Sequence, residues 1–275
     1  MLKANYHTHT VLCGHAIGDV KDYVNEAIRL GFTELGMSDH AHTPEYFMTK
    51  EEYDHNYLSE IMTDKDFKYS YVPQVMEAKK NPKIKVFLGL ETEYFPEFKE
   101  YFYDLRTKVE YLILGIHFFN YKGVNYSPYD PFSPNLVKAY TDIAVEAMST
   151  GLYTIFAHPD LFMMNYFSPK GHRVFDEVCI ACSQRIIEAA IKYDVYLEIN
   201  ANGIKKGMKK TADGKDEYLY PRSEFWELVS GTKAKVVIGA DAHTPEALGY
   251  YTIDKAEEFA KRYDLNIVDY VEFKK

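Results

Sequence analysis

Short apolar runs that each end in glycine or a polar residue recur along the chain, and most are followed by a segment with helical periodicity. After the first run, five apolar side chains recur at i, i+3, i+4, i+7 and i+8, namely Val20, Tyr23, Val24, Ala27 and Ile28. Gly31 then stands where a helix would end. Further helical segments are predicted over 98–105, 136–148, 174–191 and 225–229.

Alternating strands and helices favour an α/β fold with a parallel sheet. Seven or eight such units within 275 residues fit one closed or nearly closed β/α barrel better than two domains. We therefore predict a single domain over residues 1–275, with the active site at the C-terminal ends of the strands.

Composition fits a large folded core, since 47% of the residues are apolar and 27% are charged. No segment approaches the roughly 18 apolar residues that a membrane-spanning helix needs. The N-terminal sequence MLKANYHTHT contains no apolar region of the signal-peptide type. We therefore expect a cytoplasmic protein without a membrane partner.

Charge and cysteine content narrow the possible functions further. A net charge of −9 disfavours binding to long nucleic acids. The three cysteines are too few and too scattered for a disulfide framework. Cys179 and Cys182 form a C-x-x-C pair within a helical segment, and we interpret them as core or helix-face residues rather than as a redox or metal site.

Metal-binding residue types cluster at the ends of the predicted strands. They are His7, His9, His15, His40, Glu91, His117, His158, Asp241 and His243. A single histidine is more often an ordinary core or surface residue than a metal ligand. Residues placed independently of one another would not be expected to fall together at strand ends. Because a β/α barrel gathers its active site there, the pattern predicts a multinuclear metal centre.

The spacing of these residues supports that prediction. His7 and His9 are two residues apart, so on a strand both imidazoles point to one face. Asp241 and His243 repeat this spacing on the last strand, and barrel closure would bring them beside the first pair. Glu91 has two carboxylate oxygens and could bridge two cations. Mixed nitrogen and oxygen ligands favour two to three divalent ions of zinc, manganese or iron over magnesium or calcium.

Some roles stay open from spacing alone. Glu93 lies on the same strand face as Glu91, so either could be the ligand. Asp39 could orient an imidazole from outside the ligand set. His42 could contact the substrate or simply line a loop. Three insertions, over about 44–82, 118–134 and 203–221, leave C-terminal strand ends and should overhang the site.

Seven motifs span residues 7 to 246. They are, in order, HTHT-x-x-CGHA, ELGMSDHA, LGLETEYFP, ILGIHFF, FAHPD, LEINANG and IGADAHTPE. Together they resemble the polymerase and histidinol phosphatase (PHP) family, especially its histidinol-phosphate phosphatases. The resemblance implies a distorted (β/α)7 barrel with a trinuclear site, and it favours Glu91 over Glu93. It implies three ligand sets: His7, His9, Glu91 and Asp241; Glu91, His117 and His158; and His15, His40 and His243.

The expected function is that of a metal-dependent phosphomonoesterase. Clustered cations generate hydroxide near neutral pH and neutralise charge during in-line attack on a phosphate ester. The resemblance makes L-histidinol phosphate the leading small phosphorylated substrate, with L-histidinol and phosphate as products in histidine biosynthesis. A phosphodiesterase or nucleotide phosphatase on the same centre is the alternative, and a noncatalytic metal-binding module is a third possibility.

Substrate-binding residues depart from the family pattern. Basic residues that usually follow the His-Pro-Asp motif are replaced here by the segment 161–165, LFMMN. After LEIN, where the family often has arginine, the chain has Lys205 and Lys206. The candidate phosphate-binding residues are therefore Lys205, Lys206, Arg173 and Arg222. Asp160 and His42 are the candidate proton donors for the leaving group.

Overall fold

A computed structural model describes residues 2–51 and 60–273. Its main sheet contains eight parallel strands: β1 Ala4–Asn5, β2 Glu34–Met37, β3 Lys85–Thr92, β4 Tyr111–Leu114, β7 Ile155–Phe156, β8 Tyr196–Asn200, β11 Lys235–Gly239 and β12 Asn266–Ile267. Neighbouring strands follow this same order. Two antiparallel hairpins are separate from this sheet, β5 Phe119–Tyr121 with β6 Val124–Tyr126, and β9 Met208–Lys210 with β10 Asp216–Tyr218.

The barrel closes between its first and seventh strands, just beyond β1 and β11. Thr8 forms a parallel bridge with Ala242. The His9 amide donates to the Ala242 carbonyl at 2.9 Å, and the Ala242 amide donates to the His7 carbonyl at 3.2 Å. The prediction of a distorted seven-stranded β/α barrel is confirmed, with β12 as an additional strand on β11.

In the described part of the chain, helices lie at all five positions that the apolar periodicity predicts, with ends shifted by a few residues, and at four positions that it does not predict. They are α1 Val20–Arg29, α2 Asp64–Asp66, α3 Val72–Ala78, α4 Lys99–Thr107, α5 Pro134–Ser149, α6 Glu177–Tyr193, α7 Ala201–Lys205, α8 Ser223–Val229 and α9 Tyr251–Ala260. A π-helical turn, Phe67–Tyr71, joins α2 to α3. Much of the predicted insertion 44–82 is therefore the helical connection from β2 to β3, and its residues 52–59 lie outside the described part of the chain.

The two largest apolar clusters contain most of the core. The larger contains the buried faces of the helices, including Cys179 and Cys182, which are core residues as predicted. The smaller contains strand residues such as Tyr6, Phe87 and Tyr111 together with Val271 near the C-terminus. None of the described helices is long and apolar enough to cross a membrane.

Tyr111 makes a close contact that requires glycine at position 89. A Cβ added to Gly89 would overlap ring atoms of Tyr111, which is fully buried and whose hydroxyl donates to the Tyr6 carbonyl at 2.7 Å. We expect Gly89→Ala to lower the free energy of unfolding by about 1–3 kcal/mol, because overpacking forces a buried ring to move. Urea unfolding measures this loss. The double variant with Tyr111→Leu should recover part of it, and strictly additive losses would contradict the steric explanation.

Candidate metal centre

The predicted ligands meet at the C-terminal end of the barrel. All except His15 lie in, or within a few residues after, a barrel strand, as the sequence pattern predicts. His15 follows a short 3₁₀ helix, Val11–Cys13, which comes after β1. His158 and Asp241 have positive backbone φ values of 34° and 47°. Such values are uncommon outside glycine and concentrate at functional sites.

The first predicted ligand set comes together around one oxygen of Glu91. Nε2 of His7 lies 3.2 Å from Glu91 Oε2 and 3.6 Å from Asp241 Oδ1. Nε2 of His9 lies 3.4 Å and 3.1 Å from the same two oxygens. All four residues are buried. Closure of the barrel therefore places Asp241 beside the first histidine pair.

The second predicted set gathers at the other oxygen of Glu91. Nε2 of His158 lies 3.3 Å from Glu91 Oε1, and Nε2 of His117 lies 3.7 Å from it. The two Nε2 atoms are 3.2 Å apart. The Glu91 carboxylate thus lies between two groups of histidines, as a bridging ligand must.

The third predicted set is more open. Nε2 of His15 and Nε2 of His243 are 3.0 Å apart. Ligand atoms of His40 and His243 group with His9, whereas those of His15 and His243 group with Cys13. Nδ1 of His40 lies 3.3 Å from Glu91 Oε2, so His40 also reaches the first set.

The spacing and chemistry of these atoms fit metal ions. Two ligand atoms that each lie about 2.0–2.2 Å from one shared zinc ion are roughly 3 to 3.6 Å apart, which matches the distances from His7 and His9 to the carboxylates. Nε2 of His7 and Nε2 of His9 are buried without a hydrogen-bond partner. Since buried polar atoms are nearly always satisfied, these two nitrogens fit a cation shared with the carboxylates.

Electrostatics also favour cations. Five buried carboxylates lie close to imidazoles of the ligand sets: Asp39, Glu91, Glu93, Glu198 and Asp241. Burial alone lowers the pKa of His7, but the charges of Glu198, Glu91 and Asp241 outweigh it and hold that pKa well above its usual value. Buried carboxylates require nearby positive charge, and divalent ions would supply it while leaving the imidazoles neutral.

In the third ligand set, the pKa values of the histidines are lowered rather than raised. Burial, followed by the charge of His9, lowers the pKa of His243 to about 3 and also lowers the pKa of His40 and of His15. Neutral imidazole is the form that binds metals. These three histidines are therefore in the protonation state that a metal site needs.

Residues outside the ligand sets orient the imidazoles. Glu198, in β8, lies 2.8 Å from His7 Nδ1, and Glu93 lies 2.9 Å from His117 Nδ1. The geometry thus separates the two glutamates of β3, with Glu91 between the histidine groups and Glu93 behind His117. Asp39 Oδ1 lies 3.6 Å from His9 Nδ1, so Asp39 faces His9 rather than the neighbouring His40 ring.

Strand β8 contributes residues that the pattern of histidines at strand ends does not predict. Glu198 also accepts from the His158 amide at 3.2 Å and from Asn200 Nδ2 at 2.9 Å. Asn200 and Asn202 each place Nδ2 3.2 Å from Asp241 Oδ2. Glu198 and Asn200 are two residues apart and so share a strand face. The same spacing that selected His7 and His9 could have selected them.

A cavity of about 390 Å³ opens above the centre. Its wall includes ligands of all three sets and four further residues, Glu60, Tyr129, Asn202 and Lys206. Each predicted insertion contributes one of them: 44–82 contributes Glu60, 118–134 contributes Tyr129, and 203–221 contributes Lys206. The three segments therefore surround the entrance to the centre.

The candidate phosphate-binding residues separate into two groups. Lys206 lines the cavity, with its Nζ 5.8 Å from the centre of the Tyr129 ring. Lys205 is exposed and does not line it. Arg173 donates to the Met164 carbonyl, and the Arg222 guanidinium pairs with Glu224. Both arginines line a different depression. Of the four candidates, the geometry brings Lys206 to the cavity.

Neither candidate proton donor is among the residues that line the cavity in the described part of the chain. Asp160 is buried, which raises the pKa of its carboxyl to about 7, and its Oδ2 accepts from the Arg222 amide. This contact anchors the start of α8. The backbone carbonyl of His42 accepts from the Tyr101 hydroxyl.

A family model described as the PHP domain matches residues 5–202, which is more than half of the chain. The chain belongs to the PHP family. The histidinol-phosphatase of Bacillus subtilis is 26% identical to this PHP protein, in an alignment that covers 91% of this chain and 97% of the relative. The predicted family is therefore confirmed.

A solved structure supports the fold. The histidinol phosphate phosphatase of Lactococcus lactis, complexed with zinc, L-histidinol and phosphate, has a TM-score of 0.68 and 18% sequence identity to this PHP chain. The match covers 97% of this chain and 95% of the other. At this identity, the likeness establishes a shared barrel fold.

Proposed function

We propose that this protein is a metal-dependent phosphomonoesterase that hydrolyses L-histidinol phosphate to L-histidinol and phosphate. The observation that carries the proposal is the buried Glu91 carboxylate, whose two oxygens face separate histidine groups. The names of the Bacillus and Lactococcus proteins support the same activity and substrate.

The residues fit two or three divalent ions, with zinc, manganese and iron as candidates. His7, His9, Glu91 and Asp241 would hold one ion, and Glu91, His117 and His158 a second. His15, His40 and His243 would contribute to a third. When bound, such ions supply Lewis acidity toward the phosphoryl oxygens and the attacking water.

The chain's own residues orient the ligands and bind the substrate. Glu198 and Glu93 hold His7 and His117 by their Nδ1 atoms, which leaves the Nε2 atoms to face Glu91. Lys206 brings a positive charge to the cavity wall, where it would bind the phosphate as a point charge. Neither Asp160 nor His42 lines the cavity. Their role in proton transfer therefore stays a prediction.

A panel of phosphate esters tests the proposed reaction. The metal-loaded protein should release phosphate from L-histidinol phosphate with a higher kcat/KM than from nucleoside monophosphates, and it should not cleave phosphodiesters at a comparable rate. Diester cleavage exceeding monoester cleavage would favour the phosphodiesterase alternative.

We expect Lys206→Met to lower kcat/KM for L-histidinol phosphate by about tenfold, because it removes a charged hydrogen-bond donor from the phosphate. Lys205→Met is the matched control, since Lys205 is adjacent in sequence but does not line the cavity. Steady-state kinetics compares the two variants. Equal effects of the two substitutions would show that Lys206 has no specific role in binding phosphate.

A further inference from the structure

We propose that Glu60 determines substrate specificity by binding an ammonium group of the substrate. The preferred class is then the phosphate monoester of an amino alcohol, with a cation at some distance from the phosphate. This inference rests on the proposed function and assigns a second binding contact in the same cavity.

The backbone of Glu60 is packed against the turn that carries His15. A Cβ added to Gly14 would lie 2.8 Å from the Glu60 carbonyl oxygen and 3.2 Å from the Glu60 Cβ. Gly14 also has a φ of 77°, a conformation that favours glycine. The close approach therefore depends on glycine at this position and places Glu60 beside the His15 side of the cavity.

Glu60 lines the cavity in addition to five of the proposed metal ligands. Its side chain has no ion pair or hydrogen bond with residues 2–51 or 60–273. Other acidic side chains of the loops are paired, as Asp213 is with Lys215 and Asp216 with Lys210. Within the described part of the chain, the Glu60 carboxylate is therefore available to a ligand.

Lys206 carries the opposite charge elsewhere on the same wall. It follows α7, next to Asn202 and over the Tyr129 ring, whereas Glu60 belongs to the turn beside Gly14 and His15. Five residues of the candidate metal centre line the same cavity. A cavity lined by a lysine, by candidate metal ligands and by a further glutamate is complementary to a zwitterion that carries both phosphate and ammonium.

This arrangement also discriminates against other esters. An ammonium beside Glu60 would form a charge-assisted hydrogen bond. A second anionic group at the same place would be repelled by the carboxylate, which disfavours bisphosphates and nucleotides. An ester without either group loses the contact but meets no repulsion. Glu60 thus acts on the choice of substrate rather than on the reacting atoms.

Two esters that differ by one amino group test the role of Glu60. They are L-histidinol phosphate and 3-(imidazol-4-yl)propyl phosphate. We expect the wild-type protein to prefer the aminated ester by about tenfold in kcat/KM, mainly through KM, as for a ground-state contact remote from the reaction. Glu60→Gln should remove this preference while kcat and metal content are retained. Glu45→Gln, a change at an exposed acidic residue of the same segment, is the control.

Binding of the alcohol product separates this proposal from the proposed function. Calorimetry should give a Kd for L-histidinol that is about tenfold weaker with Glu60→Gln than with the wild-type protein, whether or not the ester is hydrolysed. An unchanged Kd, or an equal loss of kcat/KM for both esters, would overturn the role of Glu60. Failure to hydrolyse any monoester, with the difference in Kd retained, would instead refute the phosphatase activity.

Discussion

Replacement of Glu91 by glutamine is expected to lower kcat by at least about 10³-fold. Loss of one charge-stabilising group at an active site costs about 10²–10³-fold, and Glu91 serves two ligand groups through its two oxygens. The variant should also bind fewer metal ions, because an amide nitrogen cannot replace the second carboxylate oxygen as a ligand. Elemental analysis together with phosphate-release kinetics measures both effects.

An exposed acidic residue on α4, Glu100, provides the matched control for Glu91. Glu100→Gln should leave metal content and kcat unchanged. A Glu91→Gln protein that keeps its full metal complement and activity would show that the carboxylate does not bridge.

Glu198→Gln is expected to weaken metal binding by about 10–100-fold, the usual effect of removing a residue that orients a ligand. Both oxygens of Glu198 accept: one faces His7 Nδ1, and the other accepts from the His158 amide. Glutamine would place an NH₂ group opposite one of these donors, and that donor would lose its acceptor. Titration of the metal-free protein against a competing chelator measures the affinity.

Glu188→Gln is a suitable comparison for Glu198→Gln, because Glu188 is an exposed residue of α6 and does not belong to the candidate metal centre. Unchanged metal affinity in the Glu198 variant would mean that the orientation of His7 does not depend on this carboxylate. Circular dichroism of both variants establishes that any loss of affinity is not a loss of fold.

The barrel and the convergence of its candidate metal ligands could be predicted because they follow local rules. Apolar periodicity located α1 and α5, and the i, i+2 spacing of His7 and His9 requires only that a strand alternate its faces. The position of Asp241 at the end of the last barrel strand predicts that it lies beside His7 and His9, because closure of a barrel brings the first and last strands together.

Other features depend on contacts that spacing does not encode. Lys205 and Lys206 are adjacent, and which of them faces the cavity depends on where α7 ends. Arg222 pairs with Glu224, a partner close in sequence that competes for its charge. The i, i+2 spacing of Glu198 and Asn200 marks a shared strand face, but it does not show that Glu198 contacts His7, which lies just after β1.

Metal-dependent release of phosphate from L-histidinol phosphate tests the central claim most directly. The protein is first freed of metal with a chelator and then titrated with zinc, manganese or iron(II), while phosphate release is followed at each addition. We predict no hydrolysis by the metal-free protein and recovery of activity as two to three equivalents bind. Full activity of the metal-free protein, or none at any metal loading, would contradict the account.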